Sequence, residues 1–393
     1  MTPFDTVTSL QNPAATAKKV MQRRSVLKLG AASAGVLAFS PAARAQQEPI
    51  KIGVTVDLSS VEKSTGAGIV QGTKAYFQKL NQAGGIDGRK VEVLVLDDTF
   101  KPEVSKTNAE KLVEANVVAI LSPLGTRQAG AVMDAVPGVA VVGPYTGTVT
   151  LRKKPAPHTF FIRANYDQEV DKLIATAMAQ GITKIGLVHP VDPLGQSVLA
   201  AFNVSMAKAG IKPVVIATTP GTISPEVGPA AEAIAKAEPQ VVIVCLGGTA
   251  ALFIQALRKA GNNSTVYGLS LAATAANIQK LGPLSRGLGL SIVVPSPFSQ
   301  KFEVVRQYRL DMQASGVTEL ALTSMEGYIN ARVLGEALRK AGRGVTRQTL
   351  LASLEKIEGL DLGGLRISYG AGNREGGNFV DVAVVAVDGQ LRT

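Results

Sequence analysis

Ten short apolar runs, rich in β-branched residues and separated by longer helical patterns, constrain the fold of this chain more than any other feature. Most of the runs are apolar at nearly every position, which is typical of strands buried on both faces. Such strands form parallel sheets that helices cover on both sides. The sequence therefore predicts a doubly wound α/β protein. The runs span 51–57, 91–97, 117–121, 139–143, 184–189, 213–217, 241–247, 266–269, 290–294 and 380–387.

The number of predicted strands indicates more than one sheet. Ten strands exceed what one compact winding of this kind holds, so we predict two sheets formed by one continuous chain. The helical patterns between the strands are amphipathic. In one of them an apolar residue recurs at every fourth position, at Met325, Ile329, Val333 and Ala337. Gly342 follows where a left-handed cap ends the helix.

Residues 1–45 have the features of an export signal. Arg23 and Arg24 precede a weakly apolar run at 27–39, and the sequence at 43–45 is the small-x-small pattern that signal peptidase accepts. The run is too short and too polar to span a bilayer. The paired arginines resemble a twin-arginine signal, and an ordinary secretory signal is the alternative. We therefore expect cleavage after Ala45 and a periplasmic mature protein.

The net charge, the cysteine count and the lengths of the apolar segments indicate which partners and environments are excluded. The net charge is +11, but part of it lies in the first 45 residues and the remainder is spread without basic blocks, so we predict no nucleic-acid binding. Cys245 is the one cysteine and lies in an apolar run, which predicts a small buried side chain without a disulfide. After residue 45, no segment reaches the roughly 18 apolar residues of a spanning helix.

The junctions that follow the predicted strands carry the candidate binding residues. In open α/β sheets, ligands bind beyond the carboxyl ends of strands, where helix N-termini present free N–H groups. The residues there are Thr126, Tyr145, Thr146, Gly147, Thr148, Asp192, Thr249 and Ser270. Hydroxyls, N–H groups and an aromatic ring with little fixed charge suit a small polar molecule. A single Thr or Ser could instead be a helix N-cap, but five such junctions favour a binding site.

The order of several motifs resembles a known family. The segment LNQAGGIDGRKVEVLVLDDTFKPEVSKTNAEKLVEANVVAILSPLGT (80–126) is similar to the beginning of leucine/isoleucine/valine-type periplasmic substrate-binding proteins, the soluble receptors of ABC importers. The similarity continues through GPYTGTVTLRK, GLVHPVDPLGQSVLAAF and SMEGYINARVLGEALRKAG, and covers essentially all of 50–393. Independently of the family, Gly84, Gly85 and Gly88 predict a positive-φ helix exit and a tight turn into the next strand.

The resemblance implies two lobes that close over a ligand by a hinge motion. Lobe 1 is expected to comprise 46–163 and 294–378, and lobe 2 to comprise 164–293 and 379–393. It further implies a monomeric receptor without enzymatic activity, cofactor or metal. Such a receptor captures an amino acid, amide or organic acid and delivers it to an inner-membrane ABC permease.

The resemblance also implies roles for the candidate residues. Thr126 and the loop 145–148 are expected to grip the polar end of the ligand from lobe 1, and Tyr166 to form an aromatic wall. Thr249 and Ser270 are expected to face them from lobe 2. Amino-acid binders of this family commonly place a carboxylate where Ser270 stands and an aromatic residue where Thr249 stands. This departure predicts an organic acid or amide in preference to leucine, isoleucine or valine.

Several charged residues are predicted to have structural roles. The cations at 152–154 are expected to form a solvated surface run. Asp97 and Asp98 are expected to cap a turn and pair with a surface cation, in preference to binding a metal ion. Thr323 and Glu326 fit a capping box at the start of a helix.

An enzyme is the rival class. Gly268, Ser270 and Ala272 approximate the nucleophile elbow of α/β hydrolases, but that fold needs a histidine after the serine, and His158 and His189 both precede it. The sequence contains no Gly-Lys-Ser/Thr loop and no Cys/His cluster, so neither a nucleotide nor zinc is predicted. A ligand-sensing module for a signalling partner is the alternative within the same fold.

Overall fold

The structure is a computed structural model that describes residues 48–370 and 372–393. The predicted export signal and its cleavage site lie outside the described residues. Within them, strands and helices alternate as the sequence predicts, and the strands form two large sheets.

The first half of the chain builds a parallel sheet. Its elements are β1 (Ile50–Val56), α1 (Lys63–Gln82), β2 (Val91–Asp97), α2 (Pro102–Glu114), β3 (Ala119–Leu121), α3 (Thr126–Ala135), β4 (Ala140–Val142), α4 (Val149–Arg152) and β5 (Thr159–Phe160). All five strands are parallel, in the order β2-β1-β3-β4-β5. Ile52 and Val54 in β1 are fully buried, because helices cover both faces. We call this sheet and its helices lobe 1.

The chain then crosses to a second sheet. The elements that follow are α5 (Tyr166–Ala179), β6 (Ile185–Pro190), α6 (Pro193–Lys208), β7 (Val215–Thr219), α7 (Gly228–Ala237), β8 (Val241–Val244), α8 (Ala250–Lys259), β9 (Thr265–Gly268), a 3₁₀ turn (Ser270–Ala272), α9 (Ala275–Leu281), a second 3₁₀ turn (Gly282–Ser285) and β10 (Gly289–Ile292). We call this second sheet and its helices lobe 2. Cys245, directly after β8, is buried and free, as predicted.

After β10 the chain returns to lobe 1. It forms α10 (Glu303–Ala314), α11 (Leu322–Ala341), α12 (Arg347–Glu355) and a small hairpin of β11 (Leu360–Asp361) and β12 (Arg366–Ile367). Helix α11 packs along α1, and its stripe of Met325, Ile329, Val333 and Ala337 is fully buried, as predicted. Gly342 follows with φ 71°, a conformation that a residue with a Cβ rarely adopts.

A last crossing brings β13 (Asp381–Val385) and β14 (Leu391–Arg392) to lobe 2. The second sheet therefore has seven strands, in the order β14-β13-β10-β9-β8-β6-β7. The prediction for 380–387 was wrong in one respect. The run forms an antiparallel strand beside β10. Ala383 and Val385 pack on one side of the lobe 2 core and Val382 on the other, but Val384 is 46% exposed.

Three segments connect the lobes, at 161–165, 293–302 and 368–380. The fold is thus two parallel-sheet lobes on one chain with several crossings, as the sequence predicts. The precise residues at which each lobe begins and ends stay a prediction. No helix in the described part of the chain combines the length and apolar content needed to cross a bilayer.

Candidate functional site

The two lobes face each other at the carboxyl ends of their parallel strands. A cavity of about 230 Å³ lies between them, lined by Gly125 and Thr126 from lobe 1 and by Asp192, Leu194 and Thr222 from lobe 2. The lobes are in contact around it. For example, the backbone N–H of Val149 donates to the hydroxyl of Ser197 on α6, at 3.3 Å. The predicted edge of both sheets is therefore where the lobes meet.

The predicted residues of lobe 1 lie together. The hydroxyls of Thr126 and Thr146 are 2.8 Å apart, and the backbone N–H of Thr148 donates to the Thr146 hydroxyl at 3.3 Å. A side chain at Gly147 would place its Cβ 2.6 Å from the Tyr166 ring. The N–H of Tyr166 donates to the Gly147 carbonyl at 2.8 Å. The strand-end loop and the tyrosine beyond the crossing thus form one continuous wall.

The predicted residues of lobe 2 are held largely by their own lobe. The Thr249 hydroxyl donates to the carbonyl of Thr222 at 3.3 Å. Asp192 caps α6 by accepting the N–H of Gly195 at 3.1 Å, and it accepts the N–H of Thr222 at 3.1 Å. Asp192 therefore orders the loop that carries Thr222 at the rim of the cavity.

Sequence reasoning missed a buried ionic cluster beside Ser270. Arg163, in the first crossing, lies 3.4 Å from Glu169 on α5 and 3.4 Å from Glu326 on α11, and these three side chains are at most 4% exposed. Arg163 also donates to the Ser270 hydroxyl. Its guanidinium carbon is 4.8 Å from the centroid of the Tyr145 ring. One cation thus links the crossing, both lobes and two predicted residues.

Glu169 is the acid that the sequence analysis did not place near Ser270. It accepts the Ser270 N–H at 2.8 Å and the Ser270 hydroxyl at 3.0 Å. The Ser291 hydroxyl donates to it as well, at 2.6 Å. The inference that position 270 lacks a neighbouring carboxylate was therefore wrong, because the carboxylate comes from a helix and not from a strand end.

Burial changes the acidity of several groups in this cluster. It raises the pKa of Glu326 to about 7, although Arg163 acts in the opposite direction. It also raises the pKa of Tyr145 and of Tyr166, so both phenols stay protonated donors. The charges of Glu326 and Glu62 add to this effect on Tyr145. The wall of the cleft is therefore rich in carboxyl and phenol groups.

Glu62 reaches across the cleft from lobe 1. Its Oε1 accepts the backbone N–H of Gly248 in lobe 2 at 2.8 Å, and its Oε2 accepts the hydroxyl of Thr65 at 2.9 Å. The residue is 7% exposed, and burial raises the pKa of its carboxyl group. Among the described residues, no Lys or Arg lies within ion-pair distance of Glu62. It follows the first strand, but nothing in its local sequence indicates this contact.

Two predictions for charged residues were wrong. Arg152 is not part of a solvated run, because its side chain is 1% exposed, pairs with Glu375 at 2.9 Å and stacks 4.5 Å from the Phe161 ring. Lys153 and Lys154 are exposed, as predicted. Glu326 is not a capping residue. Helix α11 begins at Leu322, and Ser324, not Glu326, caps it by accepting the backbone N–H of Ala321 with its hydroxyl. The Glu326 side chain lies in the ionic cluster around Arg163.

Asp97 and Asp98 cap the turn after β2, as predicted. Asp97 accepts the N–H of Leu58 and of Thr99, each at 2.9 Å. Asp98 accepts the hydroxyl of Ser105 at 2.8 Å, and burial raises its pKa to about 6. In the described part of the chain, no Lys or Arg lies within ion-pair distance of either aspartate, so the predicted pairing with a surface cation was wrong. Within the described ranges, no group of three or more His, Cys, Asp or Glu side chains is placed to hold a metal ion.

Ser270 is not arranged as a hydrolase nucleophile in the described part of the chain. Its partners are Arg163 and Glu169. The His189 ring contacts the carbonyl of Pro190, and the His158 ring contacts that of Met133. Neither imidazole is hydrogen-bonded to the Ser270 hydroxyl, so neither histidine is placed as the base of a hydrolase nucleophile.

A larger cavity, of about 560 Å³, lies further along the interface between the lobes. It is lined mainly by apolar residues such as Ile278, Pro283, Phe298 and Leu320, and by none of the predicted binding residues. The smaller cavity, in contrast, has two of the predicted residues, Thr126 and Asp192, in its lining.

Two parallel-sheet lobes that enclose a polar cleft define a bilobal solute-binding protein. A family model described as "Periplasmic binding protein" matches residues 49–390. The chain belongs to this family, as the order of its motifs predicts. The family and fold are those of substrate-binding proteins, which are not enzymes.

Known proteins similar to this chain agree with that assignment. The Leu/Ile/Val-binding protein BraC3 of Rhizobium johnstonii is 26% identical over 189 residues, which are 47% of this chain and 51% of that protein. The match thus spans about half the length of this curated relative. The crystal structure of an extracellular ligand-binding receptor from Verminephrobacter eiseniae has 28% identity and a TM-score of 0.81, and the match covers 88% of this chain and all of that chain. A substrate-binding periplasmic protein from Ralstonia solanacearum has 28% identity and a TM-score of 0.80 over 87% of this chain and 99% of that chain.

Proposed function

We propose that this protein is the extracytoplasmic receptor of an ABC importer. It captures a small polar molecule in the cleft between its lobes and delivers it, as a monomer, to an inner-membrane permease. The observation that carries this proposal is the convergence of buried polar groups from both lobes on one cleft. Thr126, Thr146 and Tyr145 come from lobe 1, and Thr249 and Ser270 from lobe 2. Each of these residues is at most 8% exposed.

The charges around the cleft favour a ligand head that carries N–H donors. Arg163 is shared by Glu169 and Glu326, and Glu62 has no cation within ion-pair distance among the described residues. A buried carboxylate without a cation costs several kcal/mol. A ligand ammonium or amide group lowers that cost, whereas a ligand whose only charged group is a carboxylate adds to it. Within the range of amino acid, amide or organic acid, we therefore favour the first two.

The remainder of the cleft suits a small, partly apolar body. Leu194 lines the cavity from lobe 2 and packs in the same apolar cluster as Tyr166. A cavity of about 230 Å³ limits the ligand to a few heavy atoms more than a common amino acid. The Leu/Ile/Val-binding description of a relative is consistent with this size.

A thermal-shift panel of single amino acids, their amides and small organic acids tests the proposal. A true ligand at 100 times its dissociation constant stabilises the folded protein by about 2.7 kcal/mol. We expect members of the first two groups to raise the melting temperature more than organic acids of similar size. Isothermal calorimetry then gives the stoichiometry, which is expected to be one. A panel in which no compound stabilises the protein contradicts the receptor proposal.

A further inference from the structure

Glu62 connects the two lobes by joining the loop after β1 to the loop after β8. It directly precedes α1 in lobe 1, and its Oε1 accepts the N–H of Gly248, two residues before α8 in lobe 2, at 2.8 Å. This is a charge-assisted bond to the N-terminal end of a helix, where carboxylates are stabilised. Opening of the cleft necessarily breaks it, since the two groups belong to different lobes.

The lobe 2 side of this contact is shaped to receive the carboxyl group. A Cβ at Gly247 would lie 2.6 Å from Oε1 of Glu62. A Cβ at Gly248 would lie 3.0 Å from the carbonyl oxygen of Val61. Any side chain at Gly247 must therefore displace the Glu62 carboxyl group from its contact with lobe 2.

The lobe 1 side is held in place by its own aspartate. Asp57 accepts the N–H groups of Ser59 at 3.1 Å, of Ser60 at 2.7 Å and of Glu62 at 2.7 Å. Asp57 is itself fully buried. The loop that presents the Glu62 carboxyl group is thus ordered within lobe 1, independently of the contact with lobe 2.

We propose that Glu62 is a latch, whose carboxyl group seats on Gly247 and Gly248 and stabilises the form in which the lobes are closed. The latch rests on the hinge motion that the proposed function includes, but not on the identity of the ligand.

The latch is expected to respond to pH. In the closed form, burial raises the pKa of Glu62 more than the hydrogen bonds from Gly248 and Thr65 lower it. The charge of Asp57 raises this pKa and that of Lys280 lowers it, while the phenol of Tyr145 shares the surroundings of the carboxyl group. In an open form the exposed carboxyl group has its ordinary pKa. At a pH between these two pKa values, Glu62 therefore binds a proton when the lobes close. The closed form therefore becomes more stable relative to the open form as the pH falls. It becomes less stable as the pH rises through the raised pKa.

Distances between spin labels on the two lobes of the ligand-free protein test the latch. Cysteines at exposed positions Lys106 and Lys236 carry the labels, and buried Cys245 stays unlabelled. We expect the short-distance population of the wild type to be larger at pH 5 than at pH 8. Glu62→Ala is expected to reduce the closed-to-open ratio at pH 5 about tenfold, because the Gly248 N–H loses its acceptor.

Further variants separate the charge of Glu62 from its hydrogen bond. Glu62→Gln keeps an acceptor but does not titrate, so it is expected to show a smaller pH change than the wild type. Gly247→Ala adds a methyl group on the lobe 2 side of the contact, and it is expected to open the protein at both pH values. The matched controls are Glu232→Ala, an exposed acid on α7, and Gly228→Ala, where a Cβ has no neighbour within 4 Å.

Three results would overturn the proposal. They are a wild type without a short-distance population, identical distributions for wild type and Glu62→Ala at both pH values, and an unchanged pH response in Glu62→Gln. No ligand is used here, so failure of the latch leaves the receptor proposal intact. Failure of the thermal-shift panel bears on the receptor proposal alone.

Discussion

Nη1 of Arg163 lies 3.4 Å from Oε1 of Glu326, and this pair joins the first crossing between the lobes to α11. Nη2 of the same guanidinium lies 3.4 Å from Oε1 of Glu169 in lobe 2. Two carboxylates from different lobes thus share one buried cation. The Nε of Arg163 and the Oε1 of Glu326 have no hydrogen-bond partner in the described structure. The cluster therefore depends on Arg163 for most of its charge compensation.

Removal of the Arg163 charge is expected to destabilise the fold. Arg163→Met retains an apolar stem but leaves Glu169 and Glu326 buried without a cation. Breaking a buried pair in this way typically costs about 3 to 5 kcal/mol. Urea unfolding followed by circular dichroism measures the loss. Arg127→Met is the matched control, because Arg127 is exposed and is expected to change stability by less than about 0.5 kcal/mol. A loss below about 1 kcal/mol for Arg163→Met contradicts the shared-cation assignment.

The stability of the protein is expected to fall as the pH rises through neutrality. The pKa of Glu326 is raised from its ordinary 4.5 to about 7 in the folded protein. The native state therefore binds more protons than the unfolded state between these values, and the free energy of unfolding decreases with increasing pH. Glu326→Gln is expected to flatten this dependence between pH 5 and pH 8. Unfolding curves at intervals of one pH unit measure the slope, and an equal slope in the variant argues against this assignment.

The sheets could be predicted because their strands carry a strong local signal. All ten predicted runs contain a strand, since continuous apolar, β-branched sequence is buried wherever helices cover both faces. Strands at Thr159–Phe160 and Leu391–Arg392 were missed. Two residues are too few to show a periodic pattern, and each of these strands is recognisable only from its pairing with a neighbouring strand.

Only those site residues that directly follow a strand could be predicted from the sequence. The rule that ligands bind at strand ends found Thr126, Thr146 and their neighbours, because the carboxyl ends of parallel strands meet at one edge. It missed Glu169, which lies on a helix and meets Ser270 across 101 positions of sequence. An acidic residue on an amphipathic helix is usually exposed, and nothing in the local sequence indicates that the packing of other segments buries Glu169.

Export is expected to depend on the paired arginines. Arg23→Lys with Arg24→Lys keeps the positive charge of the segment but removes the twin-arginine pattern. We expect this precursor to accumulate unprocessed in the cytoplasm of a strain with both export routes, as measured by fractionation and blotting. The single substitution Lys28→Arg serves as a control that retains both arginines. Normal processing of the double variant indicates the general secretory route.

Ligand binding is expected to compact the protein. If the cleft closes by a hinge motion around the three crossings, the radius of gyration decreases when a ligand is added. Small-angle scattering with and without the most stabilising compound of the panel measures the change. An unchanged radius with a confirmed tight ligand indicates a pocket that is already closed, a result that the contact between Glu62 and Gly248 also accommodates.

The hydroxyl pair of lobe 1 provides the sharpest test of the binding wall. The Oγ1 atoms of Thr126 and Thr146 are 2.8 Å apart, and either can donate to the other. One hydroxyl proton of the pair is therefore left for a ligand acceptor. Thr146→Ala is expected to weaken binding about fivefold to tenfold, because the net value of one such bond is about 1 kcal/mol. Thr146→Ser, which keeps the hydroxyl, is expected to bind within about threefold of the wild type. Calorimetry with the most stabilising compound measures both, and Thr107→Ala, at an exposed position of α2, is the control. Equal affinities of Thr146→Ala and the wild type exclude Thr146 from the ligand contacts.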